Sequence, residues 1–189
     1  MPRIPTSPAG KPSVAALAGR RIDELDAAEP RFPLANVEIV RADIGDNLAR
    51  LKVSDLVCSA ACGADLIALD LARHMGIRSH IILPYDAQSF YSTSVSDRPG
   101  HWAGMYWQAI DAAGSLGRLT ILSGTPNQQQ SFSAVTAAVL DKALALSKVS
   151  LAISVWDGKS RGPDDASEEF EQWAMKRKLK IVRVDTLLN

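Results

Sequence analysis

Residues 55–84 read DLVCSAACGADLIALDLARHMGIRSHIILP, and this stretch decides the fold class of the chain. An apolar run ends at Cys58, a turn of small residues follows, and apolar positions at three-residue steps then continue to Met75. Gly76 interrupts that pattern, and a second apolar run precedes Pro84. A strand, a turn, a helix and a strand in this order predict one βαβ unit.

The turn inside this unit is a candidate ligand-binding segment. Its side chains are small enough for a ligand to approach the backbone, and they belong to Ser59, Ala60, Ala61, Cys62, Gly63 and Ala64. Free N–H groups and the positive end of a helix dipole at such a turn favour phosphate or another anion, so a nucleotide is the candidate ligand. Close packing of a helix on a sheet requires the same small residues, and neither GxGxxG nor GxxxxGK[ST] is present. Both interpretations stay open.

Asp65 begins the predicted helix and has two interpretations of its own. Its carboxylate is suited to accept a hydrogen bond from a ribose hydroxyl. An acidic residue in a first helical turn is equally favourable for the helix dipole alone.

Apolar runs and helical periods alternate through the rest of the chain. They predict strands over residues 14–18, 119–122, 149–156 and 181–184, and helices over residues 34–51, 103–113, 132–146 and 166–178. This alternation predicts an α/β fold: a Rossmann-like, doubly wound, mainly parallel sheet with helices on both faces. Ligands of such sheets bind beyond the carboxyl ends of the strands.

The loop after the first strand is a candidate phosphate site at that edge. Gly19, Arg20 and Arg21 leave the strand together, and arginine suits bidentate recognition of phosphate. The alternative is a surface pair that forms salt bridges to Asp23 or Glu24.

Other candidate ligand-binding residues lie in loops at the same edge. Residues 85–102 are rich in Ser, Asp, Gly and aromatics, and they predict a long irregular loop that acts as a lid. The candidates are Phe90, Ser94 and Val95 in this loop, Gly124 and Thr125 after a later strand, and Asp157 and Gly158 after the strand at 149–156.

Five segments together resemble a known superfamily. They are AGRRID, RFP, SAACGADLIALDLARHMG, IILPYDAQSFYSTSV, and VWDG followed by an acidic helix, and they span roughly residues 14–185. The chain resembles the SLOG superfamily, the Rossmann-like group that links DNA-processing (Smf-type) proteins with LOG phosphoribohydrolases. It looks most like the SLOG-type domains of bacterial signalling proteins. The resemblance implies that the chain binds or senses a nucleotide or nucleotide-derived ligand, and it adds Pro84 to the expected site.

Two other functions stay open beside sensing. LOG enzymes carry PGGxGTxxE, whose glutamate acts in cleavage of an N-glycosidic bond. This chain has GKSRGPDDASEE, which ends at Glu169, about where that glutamate falls, but it lacks the paired glycines. The first alternative is therefore a LOG-like hydrolase of nucleoside monophosphates with Glu169 as its acid or base. The second is a non-catalytic, dimerising scaffold with a vestigial pocket, and the sequence favours binding over catalysis.

The charge composition of the chain restricts the kinds of partner that it can bind. Lys plus Arg and Asp plus Glu are equal at 21 each, so no overall field attracts nucleic acid or an anionic membrane. We therefore expect a nucleotide-like small molecule as partner, and a homodimer is one open oligomeric state. The histidines have no metal-ligand spacing, and the cysteines have no histidine nearby, so we expect neither a metal nor a cofactor.

Domain organisation and location follow from the chain length and its N-terminal segment. Residues 1–12 are rich in proline and predict a mobile tail, and residues 13–189 predict a single domain. The segment MPRIPTSPAGKPS has prolines where a signal peptide has its apolar core, and no apolar run approaches about 20 residues. We expect a cytoplasmic protein.

Overall fold

The computed structural model describes residues 13–126 and 128–187, so the predicted tail at residues 1–12 lies outside the described residues. Strands and helices alternate along the described part as predicted. The strands are β1 (Ser13–Gly19), β2 (Val53–Cys58), β3 (Arg78–Leu83), β4 (Leu119–Ile121), β5 (Ser150–Val155) and β6 (Lys180–Val184). The α-helices are α1 (Val37–Arg50), α2 (Ala64–Met75), α3 (Ala87–Ser94), α4 (Ala103–Ser115), α5 (Gln129–Leu146) and α6 (Ala166–Lys176), and a 3₁₀ turn at Leu34–Asn36 precedes α1.

The six strands form one parallel sheet in the order β4-β3-β2-β1-β5-β6. At its centre, Ala16 of β1 lies opposite Val57 of β2 and Ala152 of β5. The chain adds strands outward from β1 to β4, then returns to the other side of β1 for β5 and β6. The direction of winding therefore reverses between β1 and β5, which is the topological switch point of a doubly wound sheet. The predicted fold class is confirmed.

Each face of the sheet is covered by its own helices. Residues such as Ile44, Leu66 and Tyr106 place α1, α2 and α4 in one apolar cluster. Val139 of α5 and Phe170 of α6 belong to a second cluster on the opposite face. β1 runs between both layers, so its side chains are almost all apolar and buried.

The βαβ unit predicted from residues 55–84 is present as β2, α2 and β3. Gly76 ends α2 in the left-handed conformation, with φ of 70°. Glycine adopts this conformation without a steric penalty, which explains why the helical period stops there.

The prediction of an irregular loop over residues 85–102 is wrong for the first half of this segment, which contains α3. The Asp86 side chain accepts a hydrogen bond from the Ser89 amide at 2.9 Å and caps this helix. The Ser92 and Thr93 hydroxyls donate to carbonyl oxygens four residues earlier, at 3.2 and 3.0 Å. The hydroxyl groups of these residues therefore form their hydrogen bonds within the helix itself. Because the segment is rich in polar residues, it shows no apolar period from which the helix could be predicted.

No helix in the described ranges, 13–126 and 128–187, is long and apolar enough to cross a membrane.

Candidate functional site

A cavity of about 250 Å³ lies at the carboxyl ends of β1 and β2, beside the switch point. One wall comes from the end of β1, the turn after β2 and the first turn of α2. α3 contributes from the same layer, and α5, the loop after β5 and the start of α6 close the cavity from the other face of the sheet. This is the position at which doubly wound sheets bind ligands.

Most of the cavity surface is apolar. Leu17 comes from β1, Val135 and Val139 come from α5, and the aromatic rings of Phe90 and Phe170 come from α3 and α6. A flat, apolar group fits such an interior, and the few polar side chains among the lining residues then fix its orientation.

Seven predicted site residues line this cavity, and they come from three separate segments. They are Gly19, Arg21, Ser59, Ala61, Asp65, Phe90 and Ser94.

Arg21 carries the first positive charge of the lining. Its Nη2 donates a hydrogen bond to Asp97, and about a third of each side chain is exposed. Its Nε is buried and has no hydrogen-bond partner among the residues that the structure describes. Burial lowers the pKa of Arg21 and the hydrogen bond to Asp97 raises it, with a net rise, so the guanidinium stays charged.

Arg161, which sequence reasoning missed, carries the second positive charge of the lining. It lies in the loop between β5 and α6, and its side chain is 58% exposed. Its Nε lies 3.6 Å from Asp165 Oδ2. Its place in the GKSRGPDD loop, directly after a strand that ends at the switch point, was the signal that could have found it.

Asp65 is the acidic group of the lining. It lies in the first turn of α2, and the residue is only 7% exposed. One carboxylate oxygen, Oδ2, accepts a hydrogen bond from the Ala61 amide at 3.2 Å. Burial raises the pKa of Asp65 to about 7, although the Ala61 hydrogen bond acts in the opposite direction. The carboxyl group can therefore be neutral near physiological pH.

Arg20 does not line the cavity. Its Nη1 donates to both carboxylate oxygens of Asp165, its Nε donates to Asp157 Oδ1 at 3.1 Å, and its Nη2 donates to the Lys159 carbonyl at 2.6 Å. Its guanidinium carbon also lies 5.2 Å from the centre of the Trp156 ring. These contacts hold the loop after β5 against the exit of β1, and they leave Arg20 1% exposed.

Asp157 joins a second arginine to the same network. Its Oδ2 accepts a hydrogen bond from Arg31 Nη1 at 2.7 Å, and its side chain is fully buried. Burial raises the pKa of Asp157, and the hydrogen bonds from Arg31 and Arg20 lower it further than burial raises it. Gly158 follows with φ of 71°, which turns the chain away from the strand end. Like Arg20, this predicted pair lies outside the cavity lining.

Three backbone amides of the small-residue turn already donate hydrogen bonds within the protein. The Ala61 amide donates to Asp65, the Cys62 amide donates to the Ser94 carbonyl at 3.0 Å, and the Ala64 amide donates to the Arg20 carbonyl at 3.2 Å. The site therefore offers fewer amides to an anion than the sequence led us to expect.

Close backbone packing explains why residue 63 is a glycine. Its φ is 98°, and a Cβ at this position would lie 2.7 Å from the Arg20 carbonyl oxygen and 2.9 Å from the Ile22 amide. The turn after β2 thus packs directly on the loop after β1. Ala60, Cys62 and Ala64 are buried in the same packing and do not line the cavity.

The remaining predicted residues also lie outside the cavity lining. The Gly124 amide donates to the Pro84 carbonyl at 2.8 Å, and the Thr125 amide donates to Ser131 Oγ at 3.0 Å. Val95 is fully buried beyond the end of α3. Glu169 accepts hydrogen bonds from Ser133 Oγ at 2.9 and 3.1 Å, a contact between α6 and α5.

The cavity residues contributed by α5 and α6 were not predicted from the sequence. They are Gln129, Phe132, Val135, Thr136, Val139, Ala166, Ser167 and Phe170. Their helical pattern was recognised, but not the placement of these two helices across the switch point.

Within the described ranges, no group of three or more His, Cys, Asp or Glu side chains is arranged to hold a metal ion.

No protein-family model and no curated protein matches this chain. Among solved structures, the chain is similar to DNA processing protein A (DprA) from Streptococcus pneumoniae, with a TM-score of 0.41 and 12% sequence identity. The match covers 92% of this chain and 59% of the DprA chain, so this chain spans less than two thirds of the length of DprA.

The parallel sheet, its switch point and its two helical layers define the class: a Rossmann-like α/β protein. The finer resemblance to the SLOG superfamily stays a prediction.

Proposed function

We propose that this protein binds a mononucleotide-like ligand in the cavity at the switch point. The observation that carries the proposal is the pairing of an apolar, partly aromatic interior with two arginines, Arg21 and Arg161, in one lining. An aromatic base suits the interior, and a phosphate suits guanidinium groups. One ligand with both parts satisfies both features.

The size of the cavity restricts the ligand. Its volume of about 250 Å³ lies just below the range of small-molecule sites, which begins at roughly 300 Å³. A mononucleotide with its phosphate directed toward the exposed Arg161 is compatible with this space. A dinucleotide would extend well outside it.

The biological role that we propose is sensing of this ligand in bacterial signalling, by a cytoplasmic protein. The support is the resemblance of the sequence to SLOG-type domains, together with a cavity that contains charged anchoring groups. The Glu169 carboxylate is hydrogen-bonded to Ser133 and lies outside the lining, so no contact in the site favours hydrolysis.

Thermal unfolding of the purified protein with a panel of nucleoside monophosphates tests the proposal. A ligand at about a hundred times its Kd adds about 2.7 kcal/mol to the free energy of unfolding, which gives a clear rise in Tm. We expect Arg161→Ala to weaken binding at least about tenfold, because it removes a charged hydrogen-bond donor from the phosphate.

Arg177→Ala is the matched control for that variant. Arg177 is also an arginine at the protein surface, but it pairs with Asp141 at the far end of α6 and does not line the cavity. Its substitution should leave nucleotide binding unchanged. If no nucleoside monophosphate raises the Tm, the proposed function is wrong, and the scaffold with a vestigial pocket becomes the better interpretation. If a nucleotide binds both variants equally well, its phosphate does not lie at Arg161.

A further inference from the structure

Asp65 is a buried acid in an apolar cavity with little to compensate a negative charge. The Ala61 amide is the one hydrogen-bond partner of its carboxyl group within residues 13–126 and 128–187, and no ion pair involves it there. Other buried acids of this protein are compensated by cations. Asp157 and Asp165, for example, share the guanidinium of Arg20. A carboxyl group without such a partner is stable in the neutral form when it is buried.

The Ala61 hydrogen bond decides which oxygen carries the proton. Because Oδ2 accepts the Ala61 N–H, Oδ2 acts as the carbonyl oxygen of the neutral acid. The proton then resides on Oδ1, the oxygen that remains for a ligand. A neutral carboxylic acid in an apolar site can donate a hydrogen bond, whereas a carboxylate can only accept one.

Few charged groups lie near the carboxyl group of Asp65. The basic side chains in the same lining are Arg21 and Arg161. Arg21 is paired with Asp97, and Arg161 lies 3.6 Å from Asp165, which also pairs with Arg20. Below the cavity, burial holds the pKa of the Cys58 thiol well above its usual value, so this neighbour is uncharged.

The helices that face Asp65 across the cavity add no charge. The lining residues of α3 are Phe90 and Ser94, and those of α5 and α6 are likewise apolar or neutral polar. This environment is the cause of the rise in the pKa of Asp65 to about 7.

We propose that Asp65 binds the ligand as a neutral acid and donates a hydrogen bond from Oδ1 to an acceptor at the buried end of the ligand, such as a ring nitrogen or a carbonyl oxygen of a nucleobase. The inference rests on the proposed function, and it assigns the two ends of the ligand. The anionic group lies at Arg161 and Arg21, and the base lies with an acceptor atom at Asp65. It also makes ligand binding dependent on pH, because the donor is lost when Asp65 ionises.

Asp65→Asn distinguishes a neutral acid from a carboxylate. Asparagine can keep the Ala61 hydrogen bond through Oδ1 and place its NH₂ group where the acid has its O–H, so it mimics the neutral acid at every pH. Asp65→Ala removes the donor altogether.

The binding measurement is titration of wild type, Asp65→Asn and Asp65→Ala with AMP by calorimetry at pH 6 and pH 8.5. We expect the affinity of the wild type to fall at least about tenfold between the two values, in proportion to the neutral fraction of Asp65. The affinity of Asp65→Asn should change much less, and Asp65→Ala should bind weakly at both values. The phosphate of AMP titrates near pH 6, but it does so equally with all three proteins, so the comparison removes its effect.

Urea unfolding of the unliganded proteins provides a second measurement that needs no ligand. The wild type should lose stability relative to Asp65→Asn as the pH rises from 4 to 7, because the folded state holds a proton that the unfolded state has released. This comparison also shows whether the variant folds.

The possible outcomes separate the two proposals. Parallel stability profiles overturn the inference, as does AMP affinity that increases with pH in the wild type and is lost in Asp65→Asn, which is the behaviour of an accepting carboxylate. If AMP binds none of the proteins, the assignment of a base at Asp65 is overturned together with adenine nucleotides as ligands. If AMP binds with the same affinity at both pH values, the proposed function stands and the inference fails.

Discussion

Arg20 and Asp165 are separated by 145 residues, yet Arg20 Nη1 lies 2.8 and 2.7 Å from the two carboxylate oxygens of Asp165. Both side chains are almost completely buried. Asp165 also caps α6, since its Oδ1 accepts the Ser167 amide at 2.9 Å. One ion pair thus fixes the end of β1 to the start of α6, two parts of the cavity wall.

We predict that Arg20→Met lowers the free energy of unfolding by about 3–5 kcal/mol, because it leaves the Asp157 and Asp165 carboxylates buried without their shared cation. Urea unfolding at pH 7 measures this change. Arg177→Met is the control, since the Arg177–Asp141 pair is exposed and should contribute no more than about 1 kcal/mol. Equal losses in the two variants would contradict a structural role for Arg20.

The fold could be predicted because its signals are local. The βαβ unit at residues 55–84 contains two apolar runs, a helical period and a stop at Gly76, and each depends on neighbouring residues alone. Repetition of this pattern determined the class. The helix α3 was missed because its Ser and Thr side chains bond to their own backbone, which no apolar period reveals.

The site was predicted only in part because it depends on contacts between distant segments. Two adjacent arginines follow β1, and nothing local distinguishes them. Asp157 and Asp165, more than 130 residues later, bury Arg20, whereas Arg21 lines the cavity. The wall formed by Phe132 and Val139 likewise depends on how α5 crosses the switch point, which is a property of the whole topology.

Gly63→Ala should destabilise the protein strongly. The added Cβ would lie 2.7 Å from the Arg20 carbonyl oxygen, in a backbone conformation with φ of 98° that L residues rarely adopt. We expect a loss of roughly 3 kcal/mol or more in urea unfolding, since strain and overpacking each cost about 1–3 kcal/mol.

Gly104→Ala is the matched control for this change. Gly104 lies inside α4, and its added Cβ would meet open space. Alanine is the better helix former by roughly 0.5–1 kcal/mol, so this variant should be at least as stable as the wild type. If Gly63→Ala behaved like Gly104→Ala, the turn after β2 would not be packed as described.

Glu169→Gln should leave any release of base from nucleoside monophosphates unchanged. Its carboxylate accepts hydrogen bonds from Ser133 and lies outside the cavity lining, so it is not placed to transfer a proton to a bound ligand. Chromatographic detection of free base after incubation with AMP, GMP, CMP and UMP measures this activity. Activity in the wild type that disappears in Glu169→Gln, while Ser133→Ala keeps it, would restore the LOG-like mechanism.

Acid should remove a stabilising contribution from Asp55, which lies at the opposite end of the sheet from the cavity. Arg78 Nε and Nη2 donate to its two carboxylate oxygens at 2.8 and 2.6 Å, and His80 Nε2 lies 3.1 Å from Oδ1. Burial raises the pKa of Asp55, but the hydrogen bonds, above all those from Arg78, outweigh it and lower the pKa to about 2.

The direction in which stability changes with pH follows from this lowered pKa of Asp55. The unfolded chain takes up the proton near pH 3.8, before the folded protein does, so the contribution of Asp55 is complete above that value and is lost as the pH falls through 2. Between pH 5 and pH 2.5 the loss amounts to roughly 1.5 kcal/mol. Urea unfolding of the wild type and Asp55→Asn at both pH values should therefore give a stability difference that shrinks by about this amount in acid. A difference for Asp55→Asn that stays constant between the two pH values would show that the Arg78 pair does not stabilise the charged carboxylate in the folded protein more than water does in the unfolded chain.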